Sequence, residues 1–494
     1  MSLATFIALA LYFLTMLGIG WYAYKKSTSD VAGFMLGGRN LGPGVTALSA
    51  GASDMSGWML MGLPGAMYLT GLSSVWIAIG LTIGAYLNYL IVAPRLRTYT
   101  EVANNSITLP DYFENRFQDK SRMLRLVSSV VIIIFFTLYT SSGIVAGGKL
   151  FESSFGLNYD IGLYITAGVV VTYTLFGGFL AVSLTDFVQG CIMFLALILV
   201  PSVVVFDLGG ISAVGQSIEQ INPQLLNIFS GVSIIGIISA MAWGLGYFGQ
   251  PHIIVRFMAI RSIKDLPAAR RIGMSWMIVS VCGAVATGFV GIAYIAKSGQ
   301  ELKDAETIFI LLSQLLFHPF IAGFLLAAIL AAIMSTISSQ LLVTSSSLTG
   351  DFYQEFLNKQ ATEKQLVLVG RLSVLLVAVV AVFLAFDRNS SILTLVSNAW
   401  AGFGAAFGPV VILSLHWKKM NRNGALAGML VGALTVLFWI YAPLTIDGQS
   451  LSSVIYEIVP GFILSFITVI VVSKLTYNPN EEIEKTFERV LEHH

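Results

Sequence analysis

The sequence predicts an all-α integral membrane protein of thirteen transmembrane helices. Three observations predict it. Of 494 residues, 56% are hydrophobic and only 11% charged, against about 25% charged in a soluble domain. Thirteen apolar stretches are long enough to cross a bilayer core, which takes about 20 residues each. The basic residues also divide sharply between alternate connecting segments. So little charge cannot coat a water-facing surface, which excludes a soluble enzyme, a disordered chain, a collagen-like fibre and a nucleic-acid binder. Cys191 and Cys282 lie in apolar runs, which excludes a disulfide framework and reads as two small buried hydrophobes.

In chain order the spans fall at 3–24, 44–69, 73–93, 126–148, 160–179, 187–206, 230–250, 273–296, 307–349, 366–386, 392–417, 424–443 and 458–476. The ninth is over-long and reads as a short leading helix, 307–317, ending before His318-Pro319, then one spanning helix. No Lys or Arg precedes the first span, while Lys25 and Lys26 follow it, so the N-terminus is expected outside. An odd number of spans then puts the C-terminus in the cytoplasm. In this topology 23 of the 27 basic residues are cytoplasmic, and only Lys149, Lys297, Lys303 and Arg388 are external. Dropping or adding one span would scramble the division. The missing basic leader argues against a cleaved signal peptide. The chain reads as one transmembrane domain, 1–494, with 207–229 as the longest external loop and 477–494 as a cytoplasmic tail. Its last residues, Leu-Glu-His-His (491–494), read as a truncated affinity-tag scar.

Two spans look interrupted. The second contains Ser49-Ala-Gly-Ala-Ser-Asp54-Met-Ser-Gly57-Trp58, and the seventh contains Trp243-Gly-Leu-Gly-Tyr247-Phe-Gly-Gln-Pro251-His252. Glycine and proline weaken a helix, and broken backbone at membrane depth is tolerated only around a site or cavity. Polar groups accompany these glycines, whereas Gly402, Gly404 and Gly408 read as close helix packing. The breaks open two successive five-helix blocks, 44–206 and 230–417. Matching breaks in two halves point to an inverted-repeat transporter with a midplane site.

Asp54 is the carboxylate nearest the middle of a span, which reads as a cation site or proton carrier, or as a side-chain cap on the broken helix. Asp186 reads as a cap on the sixth span or as part of an ion exit route. Ser335 and Thr336, beside Ala331-Ala332, suit sodium, a hard cation that prefers oxygen. Carbonyls of the unwound second span, such as those of Ala52 and Met55, would complete its shell. Hydroxyls in membrane helices also bond their own i−4 carbonyl, which is the competing reading. Trp58, Tyr139, Trp243 and Tyr247 read either as packing aromatics or as a pocket for a small amphipathic solute. His252, His318 and His416 stand alone near span ends and read as structural. Neither a Walker A nor a nucleophile elbow is present.

The chain resembles the solute:sodium symporter family, and within it the bacterial proline-transporting branch. Three motifs carry the resemblance: Leu36-Gly-Gly-Arg39-Asn-Leu-Gly-Pro43 through Trp58; Gly177-Gly-Phe-Leu-Ala-Val-Ser-Leu-Thr-Asp186; and Lys419 followed by Gly424-Ala425-Leu-Ala-Gly428. The run Trp243–Pro251 fits the same branch. The resemblance implies a LeuT-like fold, 5+5 inverted repeats with one extra N-terminal and two extra C-terminal helices, in the bacterial inner membrane. It implies no enzyme and no organic cofactor, but inward symport of Na+ and L-proline by alternating access, with no obligate protein partner. It implies Na+ at Ala52, Met55, Ala332, Ser335 and Thr336, with Asp54 nearby. Proline contacts are implied at Trp58, Tyr139, Trp243, Tyr247 and Pro251, with Ser56 and Gly57 affecting affinity, and ion coupling or release at Arg39 and Asp186. Three other readings stay open: Na+- or H+-coupled transport of another small solute (an amino acid, sialic acid or other carboxylate), a channel, and a transporter-like sensor.

Overall fold

Residues 2–26 and 31–493 are described by a computed structural model; His494, the end of the run read as a tag scar, lies outside them. The chain is helical almost throughout because its apolar stretches satisfy their backbone hydrogen bonds internally. Helix α1 is Leu3–Lys26 and α2 is the short Val31–Leu36. The second predicted span divides into α3, Pro43–Asp54, and a wide turn, Trp58–Gly62, that runs into α4, Leu63–Thr70. Then come α5 (Val75–Ile91), α6 (Ala93–Val102), α7 (Leu109–Phe117), α8 (Met123–Phe155), α9 (Tyr159–Asp207) and α10 (Ile211–Ile221). The seventh predicted span divides into α11 (Ile234–Met241), a tight 3-10 stretch (Ala242–Gly249) and α12 (Pro251–Ala259). Helices α13 (Leu266–Ser298), α14 (Ile308–Leu316) and α15 (Pro319–Ser346) follow, the last extended by wide turns over Ser347–Leu357. The chain ends with α16 (Glu363–Leu384), α17 (Ile392–His416), α18 (Arg422–Tyr441), a small antiparallel hairpin of β1 (Thr445–Ile446) and β2 (Gln449–Ser450), α19 (Leu451–Val454), α20 (Ile458–Leu475) and α21 (Glu481–Glu492).

Among the described residues, ten helices are long and apolar enough to cross a membrane, and Tyr159–Thr172, Ile234–Gly249 and Ala305–Leu316 are shorter apolar helices. The most enclosed is the one containing α15, 83% buried over its most apolar window. It runs through the middle of the bundle against α1, α3, α8, α9 and α16. Proline at its first turn and His318, whose Nδ1 accepts from the Phe320 amide at 3.2 Å, start it where the sequence separates it from α14.

Several connections differ from the sequence reading. The fifth and sixth spans are two helices, as expected, but they meet directly at a kink at Gly178 (φ 59°, ψ −146°) within α9, without the short loop expected before Asp186. Glycine adopts that non-helical backbone freely, so one residue makes the turn. Residues 207–229 contain α10, whose Val214 and Ile218 are buried. The tail forms α21, with Phe487 and Val490 buried on one face. Phe487 packs on Tyr99, and the Arg116 guanidinium lies 5.4 Å over its ring. Both cysteines are exposed on the outside of the bundle. An apolar run in a membrane protein faces lipid as readily as core, so hydrophobicity did not report burial there.

The second break sits against a glycine seam. A Cβ on Gly80 would overlap the Met241 carbonyl, one on Gly84 the Gly244 carbonyl, and one on Gly246 the Trp400 indole. Gly402 and Gly404 are as crowded, against Phe135 and against Ile458 and Gly246, which supports their reading as packing glycines. Gly84→Ala should therefore cost about 1–3 kcal/mol and lower the unfolding temperature of the purified protein. Gly18→Ala, where nothing lies within 4 Å of the new methyl, should not lower it.

Candidate cation and solute site

Helix α3 stops at Asp54 because Met55 leaves helical geometry (ψ 81°) and the Ser56 amide turns back onto the Asp54 carbonyl at 2.9 Å. The glycines on either side allow close approach: a Cβ on Gly51 would stand 2.7 Å from the Trp276 ring, and one on Gly57 2.9 Å from the Ala146 methyl. One turn before the break, α3 meets α15. The Ser335 hydroxyl donates to the Ala52 carbonyl at 2.5 Å and lies 3.1 Å from the Ala332 carbonyl; the Thr336 hydroxyl is 3.2 Å from that same carbonyl. Ala52, Ala332, Ser335 and Thr336 are thus brought together, all buried, and the atoms that meet are hydroxyl and carbonyl oxygens. Met55, also buried, follows Ala52 at the first residue out of the helix.

Asp54 is 1% exposed and turns elsewhere. One carboxylate oxygen accepts from the Tyr247 hydroxyl, across to the second break. The other makes no hydrogen bond. The carboxylate borders a small cavity of about 30 Å³ shared with Asn88, Tyr89 and Tyr247, enough for a water molecule. It does not cap the break through backbone amides, because the stretch turns on backbone carbonyls instead: that of Asp54 accepts from the Trp58 indole at 3.0 Å, and that of Ser56 from the Met59 amide at 3.0 Å.

The aromatic residues are spread along both breaks. Tyr139 sets its ring edge-on to His252, centroids 5.7 Å apart. Tyr247 meets Trp400 edge-on at 5.0 Å. The Trp400 indole donates to the Trp243 carbonyl at 2.8 Å, while the Trp243 ring lies 5.3 Å from Tyr456. Trp243 and Tyr247 line different cavities, and Pro251, which opens α12, borders a third with Phe179 and Ser346. Ser56 accepts from the Trp58 amide at 3.4 Å. His252, in the first turn of α12, is fully buried, with neither ring nitrogen hydrogen-bonded. His416 also lies at a helix end, 2.8 Å from the Ile91 carbonyl.

Asp186 is a correction. It caps nothing, because it lies inside the helical segment that follows the Gly178 kink and its bonded oxygen is taken by side chains. It forms a fully buried ion pair with Arg256, Oδ2 to Nη2 at 3.0 Å. The Ser49 hydroxyl donates to the same carboxylate at 2.8 Å, and the guanidinium also donates to Ser49 Oγ at 2.9 Å, Ser339 Oγ at 2.6 Å and the His252 carbonyl at 2.7 Å. Ser339 in turn donates to the Ser335 carbonyl at 2.8 Å. Arg39 stands apart from this group. Its backbone is left-handed (φ 58°), and its guanidinium donates to the Ser106 carbonyl, to the Met258 carbonyl at 2.6 Å and to Asn105 at 3.2 Å. Burial, helped by the charge of Arg97, lowers its pKa to about 10, so it stays cationic at neutral pH.

The model of the sodium:solute symporter family matches residues 34–432. The chain belongs to the sodium:solute symporter family. The symporter is 62% identical to the osmoregulated proline transporter OpuE of Bacillus subtilis (strain 168) over 487 residues, 99% of this chain and 98% of that protein. It is 61% identical to the high-affinity proline transporter PutP of the same organism over 472 residues, 96% and 98% of the two chains. In fold it matches a Na+-coupled sialic acid symporter solved in a substrate-bound outward-open state, with TM-score 0.81 at 20% identity, over 97% and 99% of the two chains. It is thus a multi-pass membrane protein whose relatives are transporters.

Sequence reasoning missed Arg256, counting it as a loop charge, although it is 0% exposed. The available signal was its place four residues after His252 in an otherwise apolar turn. It also missed Trp400, Tyr456 and Asn88, for which no local signal exists. Removing one member of a buried ion pair strands the other charge, which costs about 3–5 kcal/mol. Arg256→Met or Asp186→Leu alone should therefore lower the unfolding temperature of the symporter sharply, whereas the double variant should recover most of the loss, read as a double-mutant cycle.

Proposed function

We propose that the symporter couples inward movement of Na+ to uptake of L-proline by alternating access. The observation that carries this reading is the joining of the α3 break to α15 by Ser335 and the Ala52 carbonyl, in a chain over 60% identical to two proline transporters along nearly its whole length. In this reading Na+ displaces the Ser335 hydroxyl proton from the Ala52 carbonyl. It then takes the carbonyls of Ala52, Met55 and Ala332 and the hydroxyls of Ser335 and Thr336 as its shell, an all-oxygen set suited to a hard cation. Asp54 lends charge from the side without ligating. The chain crosses the inner membrane thirteen times, N-terminus outside and C-terminus cytoplasmic. Blocks 44–206 and 230–417 act as LeuT-like inverted repeats, with α1 added before them and α18 and α20 after. The resemblance in fold to a Na+-coupled symporter supports that arrangement.

Proline occupies the space between the breaks. Trp58, Tyr139, Trp243 and Tyr247 offer apolar faces to the pyrrolidine ring and hold its secondary ammonium. Ser56 and Gly57 shape the turn, and Pro251 starts the helix beneath. Half-helix N-termini offer amide groups to the carboxylate. Sodium held at the α3 break orders the backbone that the solute uses, so each ligand raises the other's affinity by the same factor. Arg39 and Asp186 act indirectly, Arg39 by fixing the loop at one end of α12 and Asp186 by holding Arg256 near Ser335.

The driving force suffices. One charge moving down about 100 mV yields about 2.3 kcal/mol, and a tenfold sodium gradient adds about 1.4 kcal/mol. Together they support accumulation of several hundred-fold. Uptake of labelled proline into proteoliposomes should therefore collapse when Na+ is replaced by choline at fixed pH; undiminished uptake would point to protons or to another mechanism. Ser335→Ala with Thr336→Ala removes two hydroxyl ligands and should weaken the apparent sodium affinity at least about tenfold, as read from the sodium dependence of initial uptake rates.

A further inference from the structure

A narrow cavity of about 20 Å³ runs on from Pro251 between α12, α7 and α15, lined by Val255, Leu342, Ser346, Ser347 and Thr108. It has room for little more than one water, so no solute passes it as it stands. Leu342 and Ser346 lie about two and about three turns past Ser335 on α15. Under the proposed topology α12 and α15 both head for the cytoplasm here, so the gap continues the solute space inward. Its wall at α7 is fastened. The Thr108 hydroxyl donates to Asp351 Oδ1 at 2.9 Å, and Arg125, at the start of α8, pairs with the same oxygen at 2.8 Å. Asp351 is 1% exposed and Arg125 4%. The Arg125 guanidinium also reaches Asp111 at 2.5 Å and, through Nε, Glu114 at 2.7 Å, both on α7. Arg122 repeats the pattern nearer the surface, pairing with Glu114 at 3.0 Å and with Glu355. Asp351 and Glu355 both belong to the wide turns that extend α15. Nothing in the coupling scheme above uses this cluster.

We propose that this gap is the collapsed cytoplasmic exit of the transport path, and that Asp351, held by Arg125 and Thr108, is the latch that keeps it shut. Thr108 belongs to α7 and Ser347 to the α15 extension, and both line the cavity. Widening the space between them draws Thr108 and Arg125 away from Asp351. The contacts of Arg125 to Asp111 and Glu114 stay between α7 and α8 and survive that movement. The seam therefore parts at one carboxylate while α7 and the start of α8 move together, a small shear of packed helices. Asp351 is built to let go. Among the described residues its hydrogen bonds run through Oδ1, and Oδ2 makes none. It sits in wide turns, which recur at functional sites in helices. The latch and the proposed sodium ligand Ser335 share one continuous helix, so seating the ion and releasing the exit act on the same element. The inference rests on the transport reading above.

The test is the rate at which a charged, membrane-impermeant maleimide reaches Ser346→Cys in the full-length chain carrying Cys191→Ser and Cys282→Ser, in inside-out membrane vesicles without solute. This parent should react slowly. Adding Asp351→Asn should speed the reaction about tenfold, the factor that one charge-assisted contact is worth. Thr108→Val, which removes one hydroxyl and keeps the ion pair, should speed it about threefold. If Asp351→Asn fails to insert, Thr108→Val decides alone. A second reporter separates a latch from general loosening. Ser397→Cys, in the cleft beside Trp243, is labelled in right-side-out vesicles, and alternating access predicts that it slows as Ser346→Cys speeds up. Unchanged labelling of Ser346→Cys in the variants would overturn the proposal, as would faster labelling at both reporters. No solute is present, so failure of the proline reading registers separately, in the uptake assay above.

Discussion

A guanidinium with no access to water has to be answered by oxygen, and Arg256 is answered from four helices at once. Asp186 comes from α9, Ser49 from α3, Ser339 from α15 and the His252 carbonyl from its own α12. These helices include both segments that follow or precede a break and the one that carries Ser335. Taking two charges out of water is costly unless geometry and extra hydrogen bonds compensate, so this cluster tolerates little rearrangement of its members. Ser339 and Ser335 are one turn apart, and the Ser339 hydroxyl reaches back to the Ser335 carbonyl. The oxygen set proposed for sodium is therefore built on a frame that the ion pair holds in register.

That frame divides the two breaks by task. The first ends a helix on small residues and uses its freed backbone locally, with the Asp54 carbonyl accepting from both Ser56 and Trp58. The second winds tightly from Ala242 to Gly249 and restarts at Pro251. Tyr247 is the bridge, reaching from the second break to the Asp54 carboxylate at the end of the first. In the proposed cycle, a cation seated at one break is felt at the other through that hydroxyl and through Arg256, without any ligand common to both.

Much of this was legible in the chain itself. Both interruptions could be read because glycine and polar residues coincide within ten positions, and Ser335 with Thr336 because paired hydroxyls stand beside small residues. The start of α15 could be read from His318-Pro319. What could not be read was direction. Asp54 appeared central, but only the packing shows that it turns toward Tyr247 and Asn88. Asp186 looked like a cap because Gly177-Gly178 suggested a loop, whereas the two helices meet directly at Gly178 and Asp186 lies inside the second. Arg256 counted among loop charges because hydropathy averages over a turn and cannot see a partner 70 residues away. The tail looked inert because the two apolar residues that dock it, Phe487 and Val490, are a minority among charges.

Where Gly80 and Gly84 face Met241 and Gly244, two backbones touch with no side chains between them. Interlocked side chains act like gear teeth, and helices that mesh through them must jump from one notch to the next to slide. A toothless contact is different. It resists separation through close van der Waals approach but offers no notches along its length. On this side, then, the register of the Trp243 stretch along α5 is set by no interdigitated side chain at Gly80 and Gly84, and is fixed from the opposite face, where the Trp400 indole holds the Trp243 carbonyl.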